Sequence, residues 1–335
     1  MTMRQTIAAG LFLLMLLFLP PWLRAEEPAP REDTSPQSIQ TQQAAPEDGT
    51  GSDAAHTLRL WDGSAVQTLT AAEYLPGVVR GEMPATFEEE ALKAQAVAER
   101  TYLYYRMTGG EKAAHPNADV CTDSNCCTAW LSEEDARVKW GDKFDQYEAK
   151  VQQAVADTDG QVVLYDGAPI MAVFHSSSAG STAASGDVWT AELPYLVSVK
   201  SPEEADSVPN YYSVNTFTAE EFRAIFCKAH ADAQLSGDCG GWVKDILLTN
   251  AGRVASATVG GVSVTGKELR SLFGLRSAAF TVEAVGDAIT FHVTGYGHGV
   301  GMSQYGANEL AKEGKNWQEI LQWYYTGVMI GLYNG

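Results

Sequence analysis

The chain has 335 residues, 45% of them hydrophobic, and its 42 acidic against 23 basic side chains give a formal charge of -19. That apolar content supplies a sizeable core, which excludes global disorder. The acidic balance, with no run of clustered Lys and Arg, excludes nucleic acid as a partner, because phosphate affinity rests on such a run.

From the N-terminus, residues 7–23 are almost wholly apolar, preceded by Arg4 and closed by Pro20, Pro21, Trp22 and Arg24. This is an export segment at the short limit for a spanning helix. Residues 1–25 therefore read as a membrane anchor, with a signal peptide ending near Ala25 as the other solution. Residues 26–56 are rich in Pro, Gln, Ser, Thr, Asp and Glu and bury nothing, so they read as a flexible tether that lifts residues 57–335 off the bilayer.

Short β-type runs at 57–61, 161–165, 170–175, 243–248, 255–259 and 288–293 alternate with helical patterns, an α+β or mixed α/β arrangement. No fixed-period repeat and no nucleotide-binding glycine loop is present. Ala91, Ala94, Ala98, Tyr102 and Tyr105 recur at spacings of three and four and predict a helix over about 87–107, with Thr86 and Glu89 as its capping box. Glu82 then falls in a structured loop just before that helix. A second helix is predicted over 133–157 and a third over 317–325.

Five cysteines remain. His115, Cys121, Cys126 and Cys127, in the pattern H-x5-C-x4-C-C, form a complete tetrahedral zinc set with no open position, so a metal there is structural. A disulfide from Cys121 to Cys126 or Cys127 is the alternative in an oxidising compartment. Cys227 and Cys239 enclose a short loop and form a disulfide or stay as buried thiols.

Three segments carry more: GVVRGEMPATFEEEALKAQAVAERTYL (77–103), FHSSSAGSTAASGDVW (174–189) and GYGHGVGMSQYGAN (295–308). In this order they resemble the SpoIID/LytB family, over roughly residues 58–335. The resemblance implies a membrane-anchored, extracytoplasmic lytic transglycosylase acting on peptidoglycan glycan strands during engulfment in sporulation. It implies strands already stripped of stem peptides, and as partners a cell-wall amidase and membrane engulfment proteins. Some relatives place His where this chain has Cys126, and the possible structural zinc is not required for the chemistry.

By the same resemblance Glu82, in the E-M-P motif, is the catalytic acid. Cleaving the β-1,4 bond after N-acetylmuramic acid needs a proton on the leaving oxygen, and a carboxyl with a raised pKa supplies it. Its carboxylate then takes the proton of the sugar's own 6-hydroxyl, which attacks C1. The apolar neighbours Val78, Val79, Met83 and Phe87 favour a raised pKa, whereas a helix N-terminus nearby would lower it. Without the family pattern Glu82 reads as a surface residue beside a turn, and Glu88, Glu89 and Glu90 as first-turn acids that complement the helix dipole.

Ser177, Ser178 and Thr182 are expected to position the sugar's acetamido and hydroxyl groups. His298, Ser303, Gln304 and Tyr305 are expected to form a wall of the glycan cleft, a tight structural turn being the alternative. His175 beside Ser176–Ser178 lacks a nucleophile elbow and does not indicate a serine hydrolase. Two rivals remain: a hydrolase using Asp187 or Asp119 as a second carboxylate, and a non-catalytic enhancer that binds a wall amidase. A zinc amidase needs an open coordination position that the Cys-rich set lacks.

Overall fold

The computed structural model describes residues 52–109 and 114–332. Before the first strand, Asp53 is buried against Arg100, which takes both its carboxylate oxygens at 2.6 and 2.7 Å. The fold thus begins upstream of the boundary expected at Thr57. The expected anchor and most of the expected tether lie outside the described residues; among those described, no helix is long and apolar enough to cross a membrane.

Strands β1 (Thr57–Trp61) and β2 (Val66–Thr70) form an antiparallel hairpin. Thr70 and Glu73 then close a reciprocal capping box on α1 (Ala71–Glu82). Helix α2 (Glu89–Thr108) buries Ala91, Leu92, Ala94, Val97 and Ala98 at the centre of the body. The capping box expected from Thr86 and Glu89 does not form: the N-cap is Glu88, without a side-chain cap. Instead the Glu88 N–H donates to Asn308 Oδ1 at 2.8 Å, so a distant side chain replaces the local one.

Strand β3 (Val120–Cys121) joins β1 in parallel. The helix expected over 133–157 is two, α3 (Glu133–Trp140) and α4 (Phe144–Ala156). The break is at Gly141, whose φ of +53° leaves the right-handed helical region. Strands β4 (Gln161–Tyr165) and β5 (Ala168–Pro169) pair antiparallel. The strand expected over 170–175 shrinks to β6 (Phe174–His175), and a short α5 (Ser185–Val188) follows.

The next stretch builds a module of its own: β7 (Tyr212–Thr218), α6 (Ala219–Ala229), β8 (Val243–Leu248), β9 (Val254–Val259), β10 (Val262–Thr265), α7 (Gly266–Leu272), β11 (Phe280–Val285) and β12 (Ala288–Thr294). Two antiparallel sheets, ordered β10-β9-β8 and β11-β12-β7, enclose a second hydrophobic cluster around Phe222, Phe226, Trp242, Phe273 and Phe291. The chain then returns to the body. Strand β13 (Met302–Ser303) lies parallel to β6, α8 (Gln304–Lys312) and α9 (Trp317–Tyr324) follow, and β14 (Met329–Leu332) pairs with β4. The mixed α/β class is as expected, but a second core is nested between β6 and β13.

Candidate active site

Glu82 is the last residue of α1 rather than part of a loop. The expected electrostatic tension therefore reverses, because the partial negative charge of a helix C-terminus disfavours a carboxylate. Burial also raises its pKa, and the Ala129 N–H, donating to Oε1 at 2.5 Å, opposes the rise. Two glycines admit that donor. A Cβ on Gly81 would stand 2.8 Å from the Ala129 carbonyl oxygen, and one on Gly77 would stand 2.1 Å from Trp130 Nε1. On the far side of α1, Arg80 grips Glu148 of α4 at 2.7 and 2.5 Å, which fixes the helix that carries Glu82.

A second acid lies behind the first. Gln304 Nε2 donates to the Glu82 carbonyl at 3.0 Å and reaches Gln95 Oε1 at 3.5 Å, while Gln95 Nε2 donates to Glu99 Oε1 at 2.9 Å. Burial first, and the charge on Glu82 second, hold the Glu99 carboxyl well above the usual range. Of the two carboxyls Glu99 is the more deeply buried, at 1% exposure. Phe87 and Tyr305 meet edge to face at 4.9 Å beside them, so the first and third motifs form one wall.

The second and third motifs are joined underneath by Glu203. Its Oε1 accepts the Ser178 N–H at 2.6 Å and the Ser303 hydroxyl at 2.5 Å; its Oε2 accepts the Ser201 hydroxyl at 2.5 Å. His175 Nδ1 donates to the Val300 carbonyl at 3.2 Å, so Nε2 accepts the Ser178 hydroxyl at 2.8 Å. Burial, then His298, depress the His175 pKa and keep it neutral. This Ser–His pair is sealed: Ser178 has 0% exposure, which removes any nucleophilic role.

The same burial corrects the expected sugar contacts. Ser178, Thr182 and Ser303, each at 0% exposure, turn inward and brace the wall, and Ser177, at 1%, is buried with them, so none of the four presents its side chain at the surface. Thr182 Oγ1, for example, accepts the Val199 N–H at 3.0 Å. Gln304 serves Glu82 from behind, and His298 and Tyr305 keep some surface. Val300 N–H donates to His298 Nδ1 at 3.1 Å, and burial, then Arg270 and Arg253, lower its pKa to about 4, so the ring is neutral. Of the acids expected for a hydrolase, Asp119 is taken by the Arg59 backbone N–H at 2.7 Å and its Nη2 at 2.8 Å. Asp187 lines a separate cavity.

The ligand atoms of His115, Cys121, Cys126 and Cys127 lie within 4.8 Å of one another. His115 Nδ1 donates to the Ala118 carbonyl at 3.1 Å, which leaves the Nε2 lone pair facing Cys127 Sγ at 3.4 Å. That backbone bond fixes the tautomer a metal-bound imidazole needs, and the donor set fits zinc. Among the described residues no disulfide forms, neither in this cluster nor between Cys227 and Cys239. Cys239 Sγ donates instead to the Gly286 carbonyl at 3.4 Å. The cluster loop leads directly into Ala129, the donor to Glu82.

Residues 62–165 match the family model SpoIID, Stage II sporulation protein. Stage II sporulation protein D of Bacillus subtilis (strain 168) is 39% identical over 266 residues, covering 79% of this chain and 76% of the relative. The chain belongs to the SpoIID family. The Bacillus amyloliquefaciens protein of the same description is 38% identical, covering 79% of this chain and 75% of its own length. Another SpoIID relative, the amidase enhancer of Bacillus subtilis (strain 168), is 30% identical over 77% of this chain but only 40% of its own length.

Sequence reasoning on this SpoIID chain missed Ala129, Glu99 and Glu203. Ala129 acts through its backbone, which no residue type signals. Glu99 did leave a trace, since Gln95 and Glu99 stand four apart on the buried side of α2 among alanines. Glu203 lies outside all three motifs and left none.

Proposed function

We propose that this SpoIID-family chain is a lytic transglycosylase that cleaves peptidoglycan glycan strands outside the cytoplasm, with Glu82 as acid and then base. The observation that carries the proposal is the Glu82 carboxyl itself: half-buried, at a helix C-terminus, and held by one backbone N–H. Such a group holds its proton to a higher pH than an ordinary carboxyl does, and so can deliver it to a leaving oxygen.

In this reading Glu82 protonates the glycosidic oxygen as the C1–O bond of N-acetylmuramic acid breaks. The resulting carboxylate removes the proton of that sugar's 6-hydroxyl, and O6 bonds to C1, closing a 1,6-anhydro ring. Glu82 ends protonated and no water is consumed, so one carboxyl serves both steps. With Asp119 held by Arg59, the two-carboxylate hydrolase has weaker support.

His115, Cys121, Cys126 and Cys127 would hold a structural zinc ion. Once bound, it supplies a closed tetrahedral cross-link rather than Lewis-acid chemistry. Their part in the site is to anchor the loop that presents the Ala129 N–H. The partners would be the strand, a wall amidase and engulfment proteins in the membrane, reached through the N-terminal anchor and tether.

The amidase-enhancer relative favours a second reading, a module that binds a wall amidase without cleaving glycan. Incubating purified protein and its Glu82→Gln variant with peptide-free strands, followed by mass spectrometry of the products, separates the readings. Anhydro-muramyl ends from wild type alone support the proposal. Reducing ends mean hydrolysis, and no product from folded protein means the enhancer.

A further inference from the structure

Where the module meets the third motif, a cavity of about 50 Å³ is lined by Arg253, Arg270, Lys267, His298, Trp189 and Asp187. Although acidic side chains outnumber basic ones 42 to 23 in this chain, none of these three cations makes an ion pair among the described residues. Arg253 is the telling one. It is 3% exposed, and its Nη2 donates to the Gly297 carbonyl at 3.0 Å. The third motif makes room for it, since a Cβ on Gly299 would stand 2.5 Å from its Nη1. Arg270 Nε donates to the Leu275 carbonyl at 3.3 Å. The one acid in the lining, Asp187, is exposed and leaves the cations unpaired.

Burying a guanidinium without a counter-charge is costly, and a protein keeps such an arrangement where an anion arrives from outside. Burial first, and Arg270 second, lower the Arg253 pKa to about 10, so it stays charged at neutral pH. His298, neutral, packs its ring at a tilt against Trp189, with centroids 5.2 Å apart, and supplies an uncharged flank. Size then narrows the ligand. On a scale where one water needs about 10–15 Å³, the cavity takes a carboxylate and the carbon that bears it, not a sugar ring or a peptide.

We propose that this cavity is a carboxylate pocket that reads the free lactyl group of a muramyl residue whose stem peptide has been removed. The proposal rests on the glycan reading above. With a peptide attached, the lactyl carbonyl is an amide, which carries no charge and extends into a chain too large for the cavity. Removing the peptide exposes a carboxylate that Arg253 and Arg270 can bind through charge-assisted hydrogen bonds, with Lys267 at the mouth. His298 in the pocket and Gln304 against Glu82 are six residues apart, at most about 20 Å of extended backbone, so one strand can reach both. The specificity for stripped glycan would then lie in the module, and the chemistry in the body.

Binding in the Glu82→Gln background tests this without cleavage, with Trp189 fluorescence and calorimetry as readouts. Three ligands are compared: strands with free lactyl carboxylates, the same strands with those groups converted to methyl amides, and peptide-bearing strands. The pocket predicts that the free-carboxylate strands bind about ten-fold tighter than the amides, or more. Arg270→Gln and Lys267→Ala, at a half-buried and an exposed position, should shrink that ratio toward one, chiefly by weakening the free-carboxylate strands. Equal affinity for acid and amide overturns the proposal, as does an equal loss for both in the variants. Tightest binding to peptide-bearing strands also overturns it, assigning the cations to peptide carboxylates. Acid-over-amide discrimination in a protein whose wild type cleaves nothing would keep the pocket and sink the transglycosylase.

Discussion

The body and the nested module are held together by different means. The body buries hydrogen-bonded polar groups, some of them charged: Arg100 with Asp53, Gln95 with the Glu99 carboxyl, and Glu203 beneath the hydroxyls of Ser201 and Ser303. The module buries rings, with Phe222 stacked on Phe273 at 4.5 Å, and among its described residues 212–294 only Arg253 and Ser277 are buried and polar. An apolar core stabilises without fixing direction, whereas a hydrogen-bonded charge holds one orientation. The carboxyl proposed to do the chemistry sits on the side that fixes direction.

The largest effect is expected from Glu82→Gln, which removes the acid and keeps the shape. Cleavage should fall by about 10²–10⁴, the usual worth of a general acid, with the melting curve nearly unchanged. Unaltered cleavage would detach the body's polar network from the chemistry.

Next come two stability losses of similar size but different origin. Asp53→Ala strands a buried guanidinium and should cost about 3–5 kcal/mol in denaturant unfolding. Phe291→Ala empties the centre of the module's ring cluster and should also cost about 3–5 kcal/mol. The comparison sharpens if replacing Asp53 and Arg100 together by apolar residues recovers much of the first loss. It breaks if Asp53→Ala alone proves neutral.

A smaller effect is expected at Gly81. Alanine there meets the Ala129 carbonyl at 2.8 Å, and the overpacking should cost about 1–3 kcal/mol. Cleavage measured well below the melting temperature should fall as well, since the N–H that holds Glu82 moves away. A stability loss with full activity would show that Ala129 is not needed.

The smallest concerns Glu99. Its folded pKa lies above its unfolded one, so the native state holds a proton that the unfolded chain gives up. That contribution is complete below the unfolded pKa and is lost as pH rises toward the folded value, at up to about 1.4 kcal/mol per pH unit. Glu99→Gln keeps an amide for Gln95 and should flatten this part of the stability curve. Identical slopes in both proteins would place the Glu99 proton elsewhere.

The two regions also differ in how much the sequence disclosed. In the body, periodic alanines gave α2, the E-M-P motif pointed to Glu82, and the Cys spacing pointed to a cluster that does assemble. What it hid there is tertiary: Asn308 displaces the local cap at Glu88, and the inward turn of Ser178 and Thr182 depends on Glu203 and Val199. In the module, strands were legible at 243–248, 255–259 and 288–293, each within one residue of the observed bounds, but the second core was not, because its aromatics are spread over some seventy positions. The cations of the pocket escaped for the same reason. Arg253, Lys267 and Arg270 form no run in sequence and meet only when β9 and α7 pack beside the third motif.

The most direct test titrates the Glu82 carboxyl by isotope-labelled NMR, with Glu82→Gln to assign the signal, alongside the pH dependence of strand cleavage. The account predicts a midpoint above the ordinary glutamate value, because burial outweighs the Ala129 hydrogen bond. It also predicts cleavage that declines on the alkaline side through that same midpoint, as the acid form is lost. A midpoint at or below the ordinary value, or cleavage indifferent to it, would contradict Glu82 as the proton donor.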